Sequence, residues 1–170
     1  MRNLLILVVG GLLVYSAKTK SDTLIDPVLE IVGMKEPRNL RNKNPGNIRH
    51  GAKWDGLASE QPDSAFATFV DFPYGYRALA ILLRNYQRRY GINSVRGVLE
   101  RYAPSIENDT GSYINSVAAS MGVSSDAPLN LELRHVLYDL AKAITKHEGG
   151  SFPADHVAYL NRGLDLVGVA

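Results

Sequence analysis

The feature that most constrains the fold is the recurrence of apolar residues at helical spacing over the second half of the chain. Leucines and tyrosines recur at intervals of three and four along residues 76–90, and Gly91 then provides a stop. Similar stripes with capping residues predict further helices over residues 94–102, 109–121, 130–148 and 151–167. A chain of 170 residues is long enough for one domain with a real core. We therefore predict a mainly α (α+β) single domain.

The β part of this prediction rests on one aromatic region between residues 47 and 72. Phe66, Thr68 and Val70 alternate with Ala67, Phe69 and Asp71. Strict alternation over a few residues is typical of a half-buried strand. The region therefore predicts one or two short strands in a small β-hairpin, placed before the helices.

The N-terminus forms a separate module. Residues 4–17 (LLILVVGGLLVYSA) carry no charge and are followed by Lys18 and Lys20. As a helix this run would cover roughly 21 Å, against about 30 Å of bilayer hydrocarbon. This run can be interpreted as a short membrane anchor, a cleaved signal peptide or a buried helix. We expect the membrane anchor. The predicted organisation is an anchor over residues 1–20, a linker with a short helix over 21–36, and a domain over 37–170.

A basic loop over residues 41–56, RNKNPGNIRHGAKWDG, is the main candidate for a binding surface. It places Asn42, Asn44 and Asn47 around a Pro-Gly turn, and Arg49 and Trp54 follow. Amides, guanidinium groups and a flat indole suit a polar, partly anionic ligand with flat faces, such as a glycan. The alternative is a structural surface loop whose tryptophan covers the core.

The predicted helix over residues 130–148 ends on an unusual carboxylate. Glu148 falls about 20° from Leu137 and about 40° from Ile144 around the helix axis, on the apolar side. Burial and the negative end of the helix dipole both disfavour an ionised carboxylate there, a condition that suits a general acid. The alternative is a glutamate that turns to solvent or pairs with an arginine of the basic loop. Glu107, just before the helix at 109–121, is either a capping charge or a second cleft carboxylate.

Other chemistries find little support in the sequence. There is no cysteine, the four histidines lack metal-site spacing, and no phosphate loop, nucleotide fingerprint or nucleophile elbow occurs. We therefore predict no metal and no cofactor. The net charge is only +2, and acids outnumber bases nine to five from Glu100 onward, so nucleic acid is the least favoured partner.

Five motifs together suggest a family. RNKNPGNIR, WDG, AFATFVDFPYGYRAL, YAPSIENDTGSYI and ITKHEGG follow one another in this order. From Arg38 to the C-terminus the chain resembles the phage virion-associated muralytic proteins of the lysozyme-like superfamily. The resemblance implies a lysozyme-like or lytic-transglycosylase-like domain that cuts the glycan strands of peptidoglycan. In such proteins the catalytic glutamate ends a helix and a glycine follows it, which is the arrangement of Glu148 and Gly149.

The resemblance also implies roles for individual residues. Glu148 would be the general acid, with Glu107 as the next candidate, and the stabiliser would be the N-acetyl group of the substrate or a second carboxylate. The predicted β region precedes this glutamate, so residues 44–54 must fold back beside it, and Asn47 is expected to face Glu148 across one groove. The residues expected to contact sugar and peptide-stem carboxylates are Asn44, Asn47, Arg49, Trp54 and Tyr113.

The expected location is a virion, membrane-associated through residues 4–17, or the host inner membrane with the domain in the periplasm. Peptidoglycan, lipid and other virion proteins are the expected partners. The alternative is a non-catalytic, membrane-associated virion structural protein that uses a lysozyme-like scaffold.

Overall fold

A computed structural model describes residues 4–9, 12–17, 36–103 and 109–169. The chain divides into two compact units, Met1–Glu36 and Pro37–Ala170, which are treated separately below.

In the first unit the described residues form a two-stranded antiparallel sheet. Strand β1 (Leu4–Val9) pairs with β2 (Leu12–Ala17), with Leu4 opposite Ala17 and Val9 opposite Leu12. The prediction of a membrane helix over residues 4–17 is therefore wrong. Two adjacent glycines weaken a helix at its centre, and Gly-Gly between runs of leucine, isoleucine and valine is typical of a two-residue hairpin loop.

The short helix predicted within residues 21–36 lies outside the described residues. Among the helices that the structure does describe, none is both long enough and apolar enough to cross a bilayer.

The second unit is mainly helical, as the sequence predicts. Its described helices are α1 (Arg38–Arg41), α2 (Phe72–Tyr90), α3 (Val95–Tyr102), α4 (Thr110–Met121), α5 (Arg134–Gly149) and α6 (His156–Val167). Three of them begin at other residues than expected, among them α6, which begins at His156 rather than at residue 151. Helix α2 begins at Phe72 because the Asp71 side chain accepts a hydrogen bond from the Phe72 amide and Pro73 fits the first turn. Helix α5 begins at Arg134 rather than at residue 130.

The predicted β-hairpin is reduced to two isolated antiparallel bridges, between Arg49 and Phe66 and between Leu57 and Phe69. Side chains take up the backbone groups that a longer ladder would use. The Gln61 amide donates to the carbonyls of Ala58 and Thr68 and accepts from the Thr68 amide. Such local side-chain bonds compete with regular secondary structure.

Helices α2, α5 and α6 enclose the core. Tyr76, Leu79 and Leu83 of α2 are fully buried, as are the facing leucines and isoleucine of α5 and α6 (Leu137, Leu140, Ile144, Leu160, Leu164). Helices α2 and α6 approach closely at Gly163, where a Cβ atom would lie 2.6 Å from the Cβ of Tyr76. Only glycine allows this approach. Helix α5 packs against this pair of helices and also against α4 and α1, and these contacts hold its C-terminal end.

Candidate active site

A cleft of about 820 Å³ lies between the basic loop, the beginning of α4 and the end of α5. Its wall is rich in aromatic rings, contributed by Trp54, Phe66, Tyr86, Tyr102 and Tyr113. Flat apolar faces with a few polar groups between them form a surface that suits the faces and edges of a sugar ring.

Glu148 lies in this cleft, in the last turn of α5, and both of its carboxylate oxygens accept hydrogen bonds. Asn47 Nδ2 donates to Oε2 over 2.7 Å, and Tyr113 Oη donates to Oε1 over 2.7 Å. The expected proximity of Asn47 and Glu148 is confirmed. It comes about although 101 positions separate the two residues in sequence.

The basic loop reaches Glu148 because buried amides hold it in place. Asn44 is fully buried, its Nδ2 donates to the carbonyls of Ile48 and Ala67, and its Oδ1 accepts from the Ile48 amide. Asn44 was expected to bind sugar. The structure gives it a supporting role instead, because every polar atom of its side chain is used inside the loop. Asn42 is also buried and donates to Asp63.

A further buried amide ties the loop to α5. Asn39 Nδ2 lies 3.5 Å from the carbonyl oxygen of Pro45 and 3.4 Å from that of Thr145. The Thr145 carbonyl lies near the C-terminal end of α5, four residues before Gly149. Gly149 lies against the same amide, since a Cβ there would be 2.8 Å from it. Asn39 was not predicted as a site residue, although it precedes the asparagines of the loop at a similar spacing.

Asn47 itself has a left-handed backbone conformation, with φ of 49°. Asparagine tolerates this region better than most residues other than glycine. The conformation directs its amide to Glu148. Its Oδ1 atom is buried and has no hydrogen-bond partner within the described part of the chain.

Two tyrosines close the inner wall of the cleft. Tyr102 Oη donates to the carbonyl oxygen of Gly46, and a Cβ at Gly46 would meet that hydroxyl at 2.4 Å. Loss of hydration, with the charge of Glu148 as a smaller contribution, holds the pKa of both Tyr102 and Tyr113 well above the ordinary value. Both hydroxyls therefore stay protonated and act as donors. Tyr102 was missed because its contact with Gly46 depends on tertiary structure.

The other two predicted binding residues, Trp54 and Arg49, also line the cleft. Phe66 and His147 add aromatic contacts beside them. Trp54 lines the cleft, and its Nε1 is buried without a partner among the described residues. Arg49 is exposed, with its guanidinium 5.2 Å from the centroid of the Phe66 ring. The His147 ring stacks on Tyr113, with 3.7 Å between centroids and 10° between planes. Phe66 and His147 were not predicted as site residues.

Glu148 and Asp109 are the carboxylates that line the cleft among the described residues. Asp109 caps α4 and accepts from the amide of Ser112 at 3.0 Å and from its hydroxyl at 2.7 Å. Glu107 lies outside the described residues. In the part of the chain that the structure covers, no group of three histidine or carboxylate side chains is arranged to hold a metal ion.

This arrangement can present a proton to a bond held in the cleft. In the observed geometry Asn47 and Tyr113 each donate to one oxygen of Glu148, and these two bonds fix the orientation of its carboxyl group in the cleft.

Comparison with known proteins relates the chain to a phage protein. No protein-family model matches the chain. Protein P5 of Pseudoalteromonas phage PM2 is 39% identical over 120 residues, which cover 68% of this chain and 73% of that protein. The chain belongs to the family of this phage protein.

Proposed function

We propose that the protein cleaves the glycan strands of peptidoglycan as a virion-associated phage protein, when the phage enters or leaves its host cell, with Glu148 as general acid. The observation that carries the proposal is the pair of hydrogen bonds from Asn47 and Tyr113 to Glu148 inside an aromatic cleft. A half-buried carboxyl group at the end of a core helix, fixed at both oxygens, can be held in position for proton transfer to a glycosidic oxygen.

Two buried, unpaired polar atoms on residues that line the cleft support a substrate that carries acetamido groups. Trp54 Nε1 is a donor and Asn47 Oδ1 an acceptor, and both lack partners among the described residues. An acetamido group carries the complementary pair, a carbonyl oxygen and an N–H. Leaving such atoms buried and unpaired costs about 1–3 kcal/mol each, which a bound amide would offset. Both sugars of peptidoglycan carry this group.

The reaction begins when Glu148 transfers its proton to the leaving glycosidic oxygen, and positive charge develops at the anomeric carbon. In the transglycosylase route the substrate's own acetamido oxygen attacks that carbon and forms a cyclic oxazolinium ion. The C6 hydroxyl of the same sugar then displaces this oxygen and gives its proton back to Glu148, and the product is an anhydro sugar. In the hydrolytic route Asp109 or Glu107 stabilises the charge or activates water. Asp109 is the described residue that suits this second role, because it lines the cleft while its carboxylate is held by Ser112.

The test is Glu148→Gln, which keeps the size and shape of the side chain, replaces one acceptor oxygen with an amide group and removes the transferable proton. We expect cleavage of purified peptidoglycan to fall about 10²–10⁴-fold, the usual contribution of a general acid. The melting temperature should stay within a few degrees of the wild-type value. Glu60→Gln, in an exposed loop, serves as the matched control and should retain full activity. Full activity in the Glu148→Gln protein would contradict the proposal that Glu148 is the general acid.

A mass spectrum of the digested muropeptides then separates the two routes. Anhydro ends and an active Asp109→Asn protein are expected for transglycosylation, whereas reducing ends and an inactive Asp109→Asn protein are expected for hydrolysis. A protein that binds glycan strands but releases no fragment would favour the alternative, a non-catalytic virion structural protein.

We also propose that the uncharged segment at residues 4–17 contacts lipid, in a virion membrane or in the host inner membrane with Pro37–Ala170 on the periplasmic side. The support is the absence of charge over this run and the lysines that follow it. Flotation with phospholipid vesicles tests it. The full chain should rise with the vesicles, and a chain that lacks residues 1–20 should stay at the bottom.

A further inference from the structure

A second pocket, of about 350 Å³, lies between α1 and residues 62–68. Two arginines, Arg38 and Arg41, line it together with Asp63 and the hydroxyl-bearing side chains of Ser64 and Thr68. None of these residues lines the cleft that holds Glu148. The pocket therefore has no role in the proposed proton transfer.

The charge of Asp63 is already compensated within the pocket wall. Arg38 donates to both of its oxygens, at 2.6 and 2.9 Å, and Asn42 donates at 2.9 Å. The backbone amides of Ala65 and Phe66 add two more bonds at 3.0 and 3.1 Å. These bonds, above all those from Arg38, hold the pKa of the Asp63 carboxyl well below its usual range, although burial opposes them. Asp63 has no acceptor capacity left for a ligand.

Arg41, by contrast, keeps its charge available. Its nearest approach to Asp63 is 3.9 Å, beyond hydrogen-bond distance, and about half of its side chain is exposed. Two arginines and one carboxylate leave a net charge of +1 on these three side chains. The Thr68 hydroxyl is buried and has no partner among the described residues. The pocket thus combines a half-exposed arginine, held only by a 3.9 Å ion pair, with a hydroxyl that has no partner among the described residues.

We infer that this pocket binds a carboxylate group, with Arg41 as the charge partner and Thr68 as a hydroxyl donor. A planar guanidinium matches the two oxygens of a carboxylate, and the hydroxyl adds a third bond. A metal cation does not fit, because Arg41 repels it and the oxygens of Asp63 are occupied.

The position of the pocket indicates where the carboxylate comes from. The Phe66 ring lines the cleft, and the Arg38 guanidinium lies 4.6 Å from its centroid. Pocket and cleft are thus neighbours that meet at one aromatic side chain. A polymer held in the cleft can extend an acidic branch across Phe66 to Arg41. This assignment rests on the proposed function, under which the branch is the peptide stem of peptidoglycan with its free carboxylates.

The first test compares two insoluble substrates, intact peptidoglycan and glycan strands stripped of their stems by an amidase. The full chain carrying Glu148→Gln is used, so that bound substrate is not cut. Adding Arg41→Gln should weaken binding to intact peptidoglycan about tenfold or more and leave binding to stripped strands unchanged. Thr68→Val should weaken the former about fivefold. Arg162→Gln, an exposed arginine of α6 outside both pockets, is the matched control and should bind both substrates normally.

Equal loss on both substrates, or no loss on intact peptidoglycan, overturns the inference. A second measurement keeps it separate from the proposed function. A free stem peptide, titrated against the wild-type chain and followed by nuclear magnetic resonance, should perturb residues of the pocket, and Arg41→Gln should abolish the effect whether or not the protein cuts glycan. Binding of inorganic phosphate without binding of the peptide would contradict the assignment to a carboxylate.

Discussion

Asn39 links the basic loop to the last turn of α5, since its side-chain amide lies 3.4 Å from the carbonyl oxygen of Thr145 and 3.5 Å from that of Pro45. Thr145 precedes Glu148 by three residues and Pro45 precedes Asn47 by two. One buried amide therefore sets the distance between the proposed acid and its hydrogen-bond donor. Preorganisation of this kind is what a catalytic carboxylate requires.

Replacement of Asn47 should separate the role of its backbone from that of its side chain. Asn47→Gly keeps the left-handed conformation and removes the amide, whereas Asn47→Ala also adds about 1–2 kcal/mol of backbone strain. We expect both variants to lose most peptidoglycan cleavage, and only Asn47→Ala to unfold clearly earlier in urea. Normal cleavage by Asn47→Gly would show that the amide contributes nothing to Glu148.

Tyr113→Phe removes the hydroxyl that donates to Glu148 and keeps the ring that stacks on His147. We expect a tenfold to hundredfold fall in the cleavage rate, because a hydrogen bond to a charged group contributes about 1.5–3 kcal/mol. Because the stacked ring remains, the melting temperature should change little. Stopped assays on purified peptidoglycan would measure the rate, and an unchanged rate would restrict Tyr113 to a role in the cleft wall.

Gly46→Ala should distort the inner wall of the cleft, to which Tyr102 belongs. The added Cβ would lie 2.4 Å from Tyr102 Oη and 2.9 Å from the Leu79 side chain, so the loop must shift. Overpacking of this kind costs about 1–3 kcal/mol in the free energy of unfolding, and we expect cleavage to fall with it. Gly111→Ala is the control, because its nearest neighbour would be Asp109 Oδ1 at 3.5 Å, an ordinary contact. Urea unfolding should show a change below about 1 kcal/mol for the control.

The pH dependence of stability should report on Asp63. Its pKa is lower in the folded chain than the ordinary 3.8, so the unfolded state takes up a proton first as the pH falls. The stabilisation is complete above about pH 5 and is lost as the pH drops below about 4. Asp63→Asn lacks this contribution, and we expect it to be less stable by about 2–3 kcal/mol at pH 7.

The difference in the free energy of unfolding between the wild type and Asp63→Asn should therefore become smaller below about pH 4. Glu132, whose pKa the guanidinium groups of Arg88 and Arg84 lower to about 2, is present in both proteins and cancels in the difference. Urea unfolding series at pH 7, 5, 4 and 3 would measure the difference. A difference that stays constant over this range would mean that the charge of Asp63 does not stabilise the fold.

The features that local sequence patterns determine, chiefly the helices, could be predicted from the sequence. Apolar periodicity gave α2, α3 and the end of α5, and the position of Glu148 on the apolar side of its helix pointed to the cleft. Local patterns did not predict the features that depend on tertiary contacts, such as the direction of individual side chains in the loop. The amides of Asn42, Asn44 and Asn47 look equivalent in sequence, yet only the left-handed backbone at Asn47 directs its side chain to Glu148. The segment at residues 4–17 was misread because an uncharged apolar run was taken as one membrane helix, whereas Leu4–Val9 and Leu12–Ala17 pair as strands.

The contact between Asn47 and Glu148 spans 101 positions of the chain. A polypeptide emerging from the ribosome holds the loop 101 positions before the acid, so a chain released ahead of Glu148 cannot assemble the pair. If the pair cuts peptidoglycan, such a fragment cannot cut the wall of the cell that makes it. The activity then depends on synthesis through Glu148 and on folding of the loop against it.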